Sequence, residues 1–183
     1  MEENQMELFQ VSKYLDVEHT IAKYMFDPVE NPWEVLPSIS IFIEQLGPML
    51  PSEEFEQRGS NVWISKSAVI APTAYIGGPC IIDAGTEVRH CAFIRGSAII
   101  GKNCVIGNST EVKNSIIFDE VQIPHYNYVG DSILGFRSHL GAGAITSNVK
   151  NDKSNVEVNF ALGKMDTKLR KFGAIVGDFS QIG

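Results

Sequence analysis

The sequence predicts a mainly β protein, a hexapeptide-repeat parallel β-solenoid carrying a small helical appendage at its N-terminus. Three observations predict it. Apolar residues recur at every sixth position without a break, from Ile64 through Ile70, Ile76, Ile82, Val88, Ile94, Ile100 and Ile106 to Val112. Four positions after each of the first eight stands a small residue: Ala68, Ala74, Cys80, Thr86, Ala92, Ala98, Cys104 and Thr110. After one five-residue step the large series resumes at Ile117, Ile123 and Val129, and after another at Leu134 and Leu140. No helix has a period of six, whereas short strands coiled around a narrow prism do. Alternating large and small side chains is what so tight an interior requires.

Ahead of the repeat, residues 1–60 read as a helical appendage. Asp16 is placed to cap a helix through Ile21, Tyr24 and Met25 that the pair Asp27 and Pro28 ends. Asn31 and Pro32 make a second start, and Ile39, Phe42, Ile43 and Leu46 form an i, i+3, i+4, i+7 stripe. The solenoid then occupies 61–183, with a loop insertion expected at about 147–172 before the hexads restart at Val176 and Ile182.

Composition excludes several function classes. The 183 residues carry a net charge of −7, so neither nucleic acid nor an anionic membrane finds a general basic face here. The first ten residues lack the basic and apolar regions of a secretion signal, and no run of eighteen apolar residues appears, which makes a soluble cytoplasmic protein the expectation. Cys80, Cys91 and Cys104 show no C-x-x-C spacing and are expected to be small buried fillers.

Against that acidic background the placement of two cations is informative. Arg95 and Lys113 each follow a large apolar residue of the repeat and are eighteen positions apart. With three hexads to a coil they become neighbours on adjacent rungs, about 4.8 Å apart. Stacked like charges are destabilising, and an anion held between them reverses the sign. His125 and Tyr128, in "IPHYNYVGDS", are expected to approach the same corner. An imidazole, a phenol, a guanidinium and an ammonium would then meet around one anionic ligand.

The segments "IRGSAII", "IGNSTEVKNSII", "IPHYNYVGDS" and "LGAGAITSNVK" resemble the C-terminal acetyltransferase half of the bacterial bifunctional glucosamine-1-phosphate acetyltransferase and N-acetylglucosamine-1-phosphate uridyltransferase. They are also similar to its archaeal sugar-1-phosphate nucleotidylyltransferase relatives, which "DTKLRKFGAIVGD" resembles as well. The resemblance implies a left-handed parallel β-helix, a homotrimer with sites between subunits, and an acetyl-CoA-dependent N-acetyltransferase acting on an amino sugar phosphate such as glucosamine 1-phosphate. By the same resemblance His125 is the general base, Arg95 and Lys113 hold the sugar phosphate, and Tyr128, His139 and Asn148 line the acceptor site. Ala142 is implied as a backbone contact to the CoA arm, and a place in UDP-N-acetylglucosamine biosynthesis follows.

The pattern also departs from that family. Most bacterial members have Asn where this chain has His139, and a lysine expected after Asn148 has only Lys150 and Lys153 as neighbours. No glycine-rich nucleotide loop is present, so nucleotidyl transfer by these residues is not expected. The hexad that restarts at Val176 stops at Gly183, where the family's pattern continues into the coils that complete the acetyl-CoA site. The acceptor half of the site is therefore expected and the donor half is expected to be incomplete. Two rival readings follow. A zinc site on His90 and His125 would need ligands about 9.5 Å apart to share bonds near 2.1 Å, so no metal is expected. A non-catalytic trimeric module that binds a sugar phosphate or assembles with a separate nucleotidyltransferase is the alternative function.

Overall fold

The computed structural model describes residues 9–161 and 163–183. The expectations for the first eight residues, both the signal-free start and the opening of the appendage, lie outside the described residues.

From Val62 the chain coils into a three-sided prism of parallel strands. Face A holds Val62–Ser65, Cys80–Ile82, Ala98–Ile100, Ser115–Ile117, Ile133–Leu134 and Ile175–Val176. Face B holds Val69–Ile70, Glu87–Val88, Val105–Asn108, Gln122–His125, His139–Leu140 and Gln181–Ile182. Face C holds Tyr75–Ile76, Phe93–Ile94, Glu111–Lys113 and Tyr128–Gly130, and its next rung is a bridge from Tyr128 to Ile145. Register bears out the period. Ile64 pairs with Ile82 and Ile82 with Ile100, eighteen apart, and then Ile100 pairs with Ile117 and Ile117 with Leu134, seventeen apart. The five-residue steps shorten the coil by one residue without moving any large residue off the inside, because the lost position falls at a corner.

The inside is what the two series require. Ile82, Val88, Ile94, Ile100, Ile106, Val112, Ile117, Ile123, Val129 and Leu134 are all fully buried, and so are Cys80, Thr86, Ala98 and Thr110. Each buried isoleucine is worth about 1.5–3 kcal/mol relative to exposure, and every coil adds three large residues of this kind. The threonine fillers are satisfied, Thr86 donating to the Gly101 carbonyl at 2.6 Å and Thr110 to the Ile123 carbonyl at 3.3 Å. Corners turn on residues of left-handed φ, among them Cys91, Ser97, Ser109, Asn114, Tyr126 and Asp131. That corrects one expectation. Cys80 and Cys104 are buried fillers, but Cys91 occupies a corner with φ 61° and is exposed, because it precedes the inward position taken by Ala92.

The appendage is helical only in short turns. Asp16 accepts from the Glu18 amide as the expected cap, but Thr20 is extended, with φ −151°, and its hydroxyl accepts from the Ala22 amide. That side-chain bond divides the expected helix into single 3₁₀ turns at Val17–His19 and Lys23–Met25. After Asn31 and Pro32 the chain is again 3₁₀ over Pro32–Ser38, since Pro37 has no amide for an α-type bond. A true helix, α1, follows at Ile39–Leu46. It buries Ile39 and Ile43 completely and packs on the outside of face A. There the outward residues Ile81, Ile99, Ile116 and Ile133 are also fully buried, an apolar stripe with the period of one coil. The antiparallel strand Phe55–Gln57 covers the open edge of face A at Val62–Ser65.

Above Thr146 the chain leaves the prism, forms an antiparallel hairpin of Glu157–Phe160 and Gly163–Asp166, and returns at Phe172. The Phe172 amide donates to the Asn148 carbonyl at 3.0 Å, which closes the neck of this excursion. Phe160 packs edge-on against Phe9 of the appendage, with ring centroids 5.4 Å apart. No helix among the described residues is long and apolar enough to cross a membrane.

Candidate functional site on face C

Two ladders run up the outside of face C. The first is Tyr75, Phe93, Glu111, Tyr128 and Ile145, each in register with the next. The second lies two residues further along each strand and brings Gly77, Arg95, Lys113 and Gly130 together, with Lys113 paired to Gly130. Arg95 and Lys113 are thus on adjacent rungs, as their eighteen-residue separation requires.

Their side chains are not left facing one another. Arg95 turns back so that Nη1 donates to Glu111 Oε1 at 2.8 Å, and Lys113 Nζ donates to Asp131 Oδ2 at 3.0 Å. The Glu111 carboxylate accordingly raises the Arg95 pKa above its ordinary value, first through the hydrogen bond and then through its charge. Two cations and two carboxylates cancel, so the repulsion inferred from sequence is relieved within the chain itself. Neither carboxylate was singled out by the repeat. Glu111 could have been, since it stands two residues before Lys113 on the same outward side.

Asp131 gathers the rest of the site. It is buried at the corner between faces C and A, where Asn114 Nδ2 donates to its Oδ1 at 2.8 Å. The Asn148 side-chain amide donates both to Asp131 Oδ2 and, at 3.1 Å, to the Tyr128 hydroxyl. Tyr128 reaches there because Gly130 has no side chain. A Cβ at that position would collide with the Tyr128 ring and hydroxyl. Lys113, Tyr128, Asn148 and Asp131 therefore form one connected polar group, assembled from the end of one strand, the start of another and the neck of the insertion.

His125 stands apart from it. It ends the strand Gln122–His125, so it occupies the corner where face B meets face C. Arg95 and Lys113 line the opposite margin of face C, at the C–A corner. The expectation that all four groups share one edge is thus corrected: the imidazole and the cations flank the two sides of a three-residue strand. The His125 side chain is exposed, and its backbone is pinned because the amide donates to Asn127 Oδ1 at 3.0 Å. Asn127, itself buried, donates on to the Gly141 carbonyl at 2.7 Å, one coil higher. The strand register places Ala142 directly above His125, and the Gly143 amide donates to the His125 carbonyl at 3.0 Å.

The remaining expected residues are placed elsewhere. His139 is in register with Gln122, at the far end of that strand from His125, and projects from face B. Lys150 Nζ donates to the Asn155 carbonyl at 3.4 Å within the insertion, and Lys153 is exposed there. His90 and His125 do share a ladder with Asn108 between them, and Asn108 Nδ2 donates to the His90 carbonyl. Among the described residues, no group of three or more His, Cys, Asp or Glu is disposed to hold a metal ion.

Comparison with known proteins now identifies the family. A family model described as "GMPPB C-terminal domain" matches residues 76–182, more than half of the chain. A "Bifunctional protein GlmU" from Methanococcus maripaludis is 39% identical over 156 residues, covering 84% of this chain and 38% of that protein. A protein of the same description from Methanocaldococcus jannaschii is 32% identical over 155 residues, with 84% and 38% covered. A "Bifunctional sugar-1-phosphate nucleotidylyltransferase/acetyltransferase" from Sulfurisphaera tokodaii is 35% identical over 71 residues, 39% of this chain and 18% of that one. This chain therefore spans about two fifths of the length of the GlmU relatives. Among solved structures, the acetyltransferase domain of PglB from Neisseria gonorrhoeae in complex with acetyl coenzyme A gives a TM-score of 0.27 at 14% identity, covering 46% of this chain and 45% of that one. Likeness at that level carries no argument. By the family model and its extent, the chain belongs to the GMPPB C-terminal domain family.

Proposed function

We propose that face C binds an amino sugar phosphate and that the chain supports its N-acetylation from acetyl-CoA, with His125 as general base. The observation that carries this reading is the pair of opposed margins on one short strand, an exposed imidazole on one side and the Arg95–Lys113–Asn148–Tyr128 group on the other. A ligand lying across that strand would set its phosphate against the cations and its amine toward His125. In the reaction the amine nitrogen attacks the thioester carbonyl, the imidazole takes the proton that nitrogen loses, the C–S bond breaks, CoA leaves as its thiolate, and the imidazolium returns the proton to that sulfur. Ala142, one rung above His125, is positioned to offer backbone to the donor's arm. His125 is exposed toward open space, so a homotrimer in which a second subunit closes the site fits the same arrangement. The descriptions of the GlmU-type relatives support acyl transfer.

The test is thiol release from acetyl-CoA in the presence of glucosamine 1-phosphate. His125→Ala should lower the rate by about 10²–10⁴-fold, the usual contribution of a positioned base. Its melting temperature should be unchanged, because the side chain is exposed. A wild-type rate no higher than that of His125→Ala would overturn the catalytic role.

A second reading, a binding or assembly module without catalysis, is favoured by one observation: both cations are already neutralised by Glu111 and Asp131. Binding of glucosamine 1-phosphate by calorimetry without thiol release would establish that reading instead.

A further inference from the structure

Asp131 is a buried carboxylate that the proposed chemistry does not use, and its surroundings are unusual for this fold. Its side chain is 5% exposed and accepts from three separate donors: the Lys113 ammonium, the Asn114 amide and the Asn148 amide. Burying a carboxylate is costly unless it is paired and hydrogen-bonded, and this one is both. The corner itself does not call for an acid. One and two coils lower, the same left-handed corner is made by Asn114 at φ 45° and Ser97 at φ 49°, against 50° for Asp131. Neutral residues serve that turn, so the charge at position 131 answers to what it holds.

What it holds are two residues from distant parts of the chain on one side of face C. We infer that Asp131 is a positioning residue of the acceptor site, fixing the Lys113 ammonium and the Asn148 amide relative to Tyr128 so that they present one anion-binding surface. The inference rests on the reading of face C as a sugar-phosphate site. Lys113 on a free four-carbon stem would lose rotamer freedom on meeting a ligand. Held by Asp131, it has already lost it. Asn148, on the irregular neck of the insertion, lies in no strand, and among the described residues its side-chain amide bonds to Asp131 and Tyr128.

Asp131→Asn separates positioning from a simple charge effect by the sign of the result. Asparagine tolerates the left-handed conformation and has nearly the same volume, but it carries no charge and offers one acceptor oxygen for three donors, so its NH2 must face either Asn114 or the pair Lys113 and Asn148. If Asp131 only offset the charge of Lys113, its loss would leave a bare cation and tighten binding of an anion. If it positions the donors, binding weakens. Calorimetry of the full chain with glucosamine 1-phosphate, and with inorganic phosphate as a second probe, reads this directly.

The expected result is binding about tenfold weaker or more in Asp131→Asn, the loss usual for a hydrogen bond to a charged group. Asp131→Asn combined with Lys113→Met should lose less binding than the product of the two single effects, since Asp131 acts partly through Lys113, and the loss that remains reports its hold on Asn148. Tighter or unchanged binding in Asp131→Asn would overturn the inference. Effects that simply multiply in the double variant would also overturn it, because a residue stabilising only the fold gives that pattern. Should Asp131→Asn fail to fold, Asp131→Ser, with the residue type found at Ser97, carries the same cycle. A wild-type chain that binds neither probe removes the sugar-phosphate reading and this inference with it, an outcome distinct from a binding wild type with a silent variant.

Discussion

Faces A and C of the prism both stack short parallel strands around a buried apolar ladder in the same coil register, face A with more of them, and they part company in what points outward. On face A the outward residues are Ile81, Ile99, Ile116 and Ile133, all buried under α1 and the turns around it. On face C they are Tyr75, Phe93, Glu111 and Tyr128, with Arg95 and Lys113 beside them, and among the described residues Tyr75 and Phe93 stay exposed. The difference teaches that in a solenoid the inner positions set the fold while the outer positions, free of that duty, decide whether a face takes up another part of the chain or keeps a surface for ligands.

The largest effect expected from breaking this comparison is on stability. Ile99→Ala on face A should destabilise by about 2–5 kcal/mol, because it leaves a cavity between the prism and α1. Phe93→Ala, the face C counterpart in the same coil, should cost well under half of that, since the ring is 41% exposed. Denaturant unfolding of the two variants measures both. Equal losses would show that face C is covered in solution by something of comparable extent.

A smaller effect sharpens the account of face C itself. Glu111→Gln removes the exposed partner of Arg95 and should change stability by less than about 1 kcal/mol, as surface pairs do. It frees a guanidinium for an anion, so phosphate binding measured by calorimetry should tighten by about threefold, or about 0.7 kcal/mol. Weaker binding would mean that Glu111 orients Arg95 rather than competing for it.

The smallest effect is on pH dependence, at the seam between the appendage and the A–B corner. Burial raises the pKa of Asp83, with the Glu54 carboxylate adding to it and the Ala84 amide and Lys102 opposing. Burial raises Asp119 as well, against the Lys102 amide, and the charge of Asp83 adds to the rise. A carboxyl whose folded pKa is raised destabilises the fold while ionised, and the penalty is relieved as pH falls through the folded pKa toward the unfolded value. The urea midpoint should therefore rise slightly, by less than about 1 kcal/mol in stability, as pH is lowered toward the ordinary carboxylate range. Asp83→Asn should flatten that rise, and a midpoint that instead falls over the same window in the wild type would contradict the assignment.

Much of the prism was legible because a period of six leaves a one-dimensional trace. The inward isoleucines, the small fillers and both five-residue steps were read without coordinates, and Arg95 and Lys113 landed on neighbouring rungs for the same reason. The stripe of Ile81, Ile99, Ile116 and Ile133 was legible too, at the period of a coil, though it was not read. Other features depended on local competition. The Thr20 hydroxyl replaced the first expected helix with 3₁₀ turns, Pro37 held the second in 3₁₀ form until α1 begins at Ile39, and Cys91 was exposed because the corner fell one residue before the inward Ala92. In the site, the residues missed were those that bond to the expected ones: Glu111, Asp131 and Asn127. Glu111 was legible from its outward place two residues before Lys113, whereas the repeat does not say which way the corner side chains of Asp131 and Asn127 turn or what they bond.

What the sequence by itself determined was the stacking of coils and which residues face inward, since within a strand a one-residue slip would turn its isoleucine outward. What only the tertiary structure decided was the direction in which exposed side chains turn once stacked. That choice depends on charges and amides that approach through space from other rungs and from the neck of the insertion. It placed His125 and the cations on opposite margins of face C, and it joined Lys113, Tyr128 and Asn148 through the buried carboxylate of Asp131.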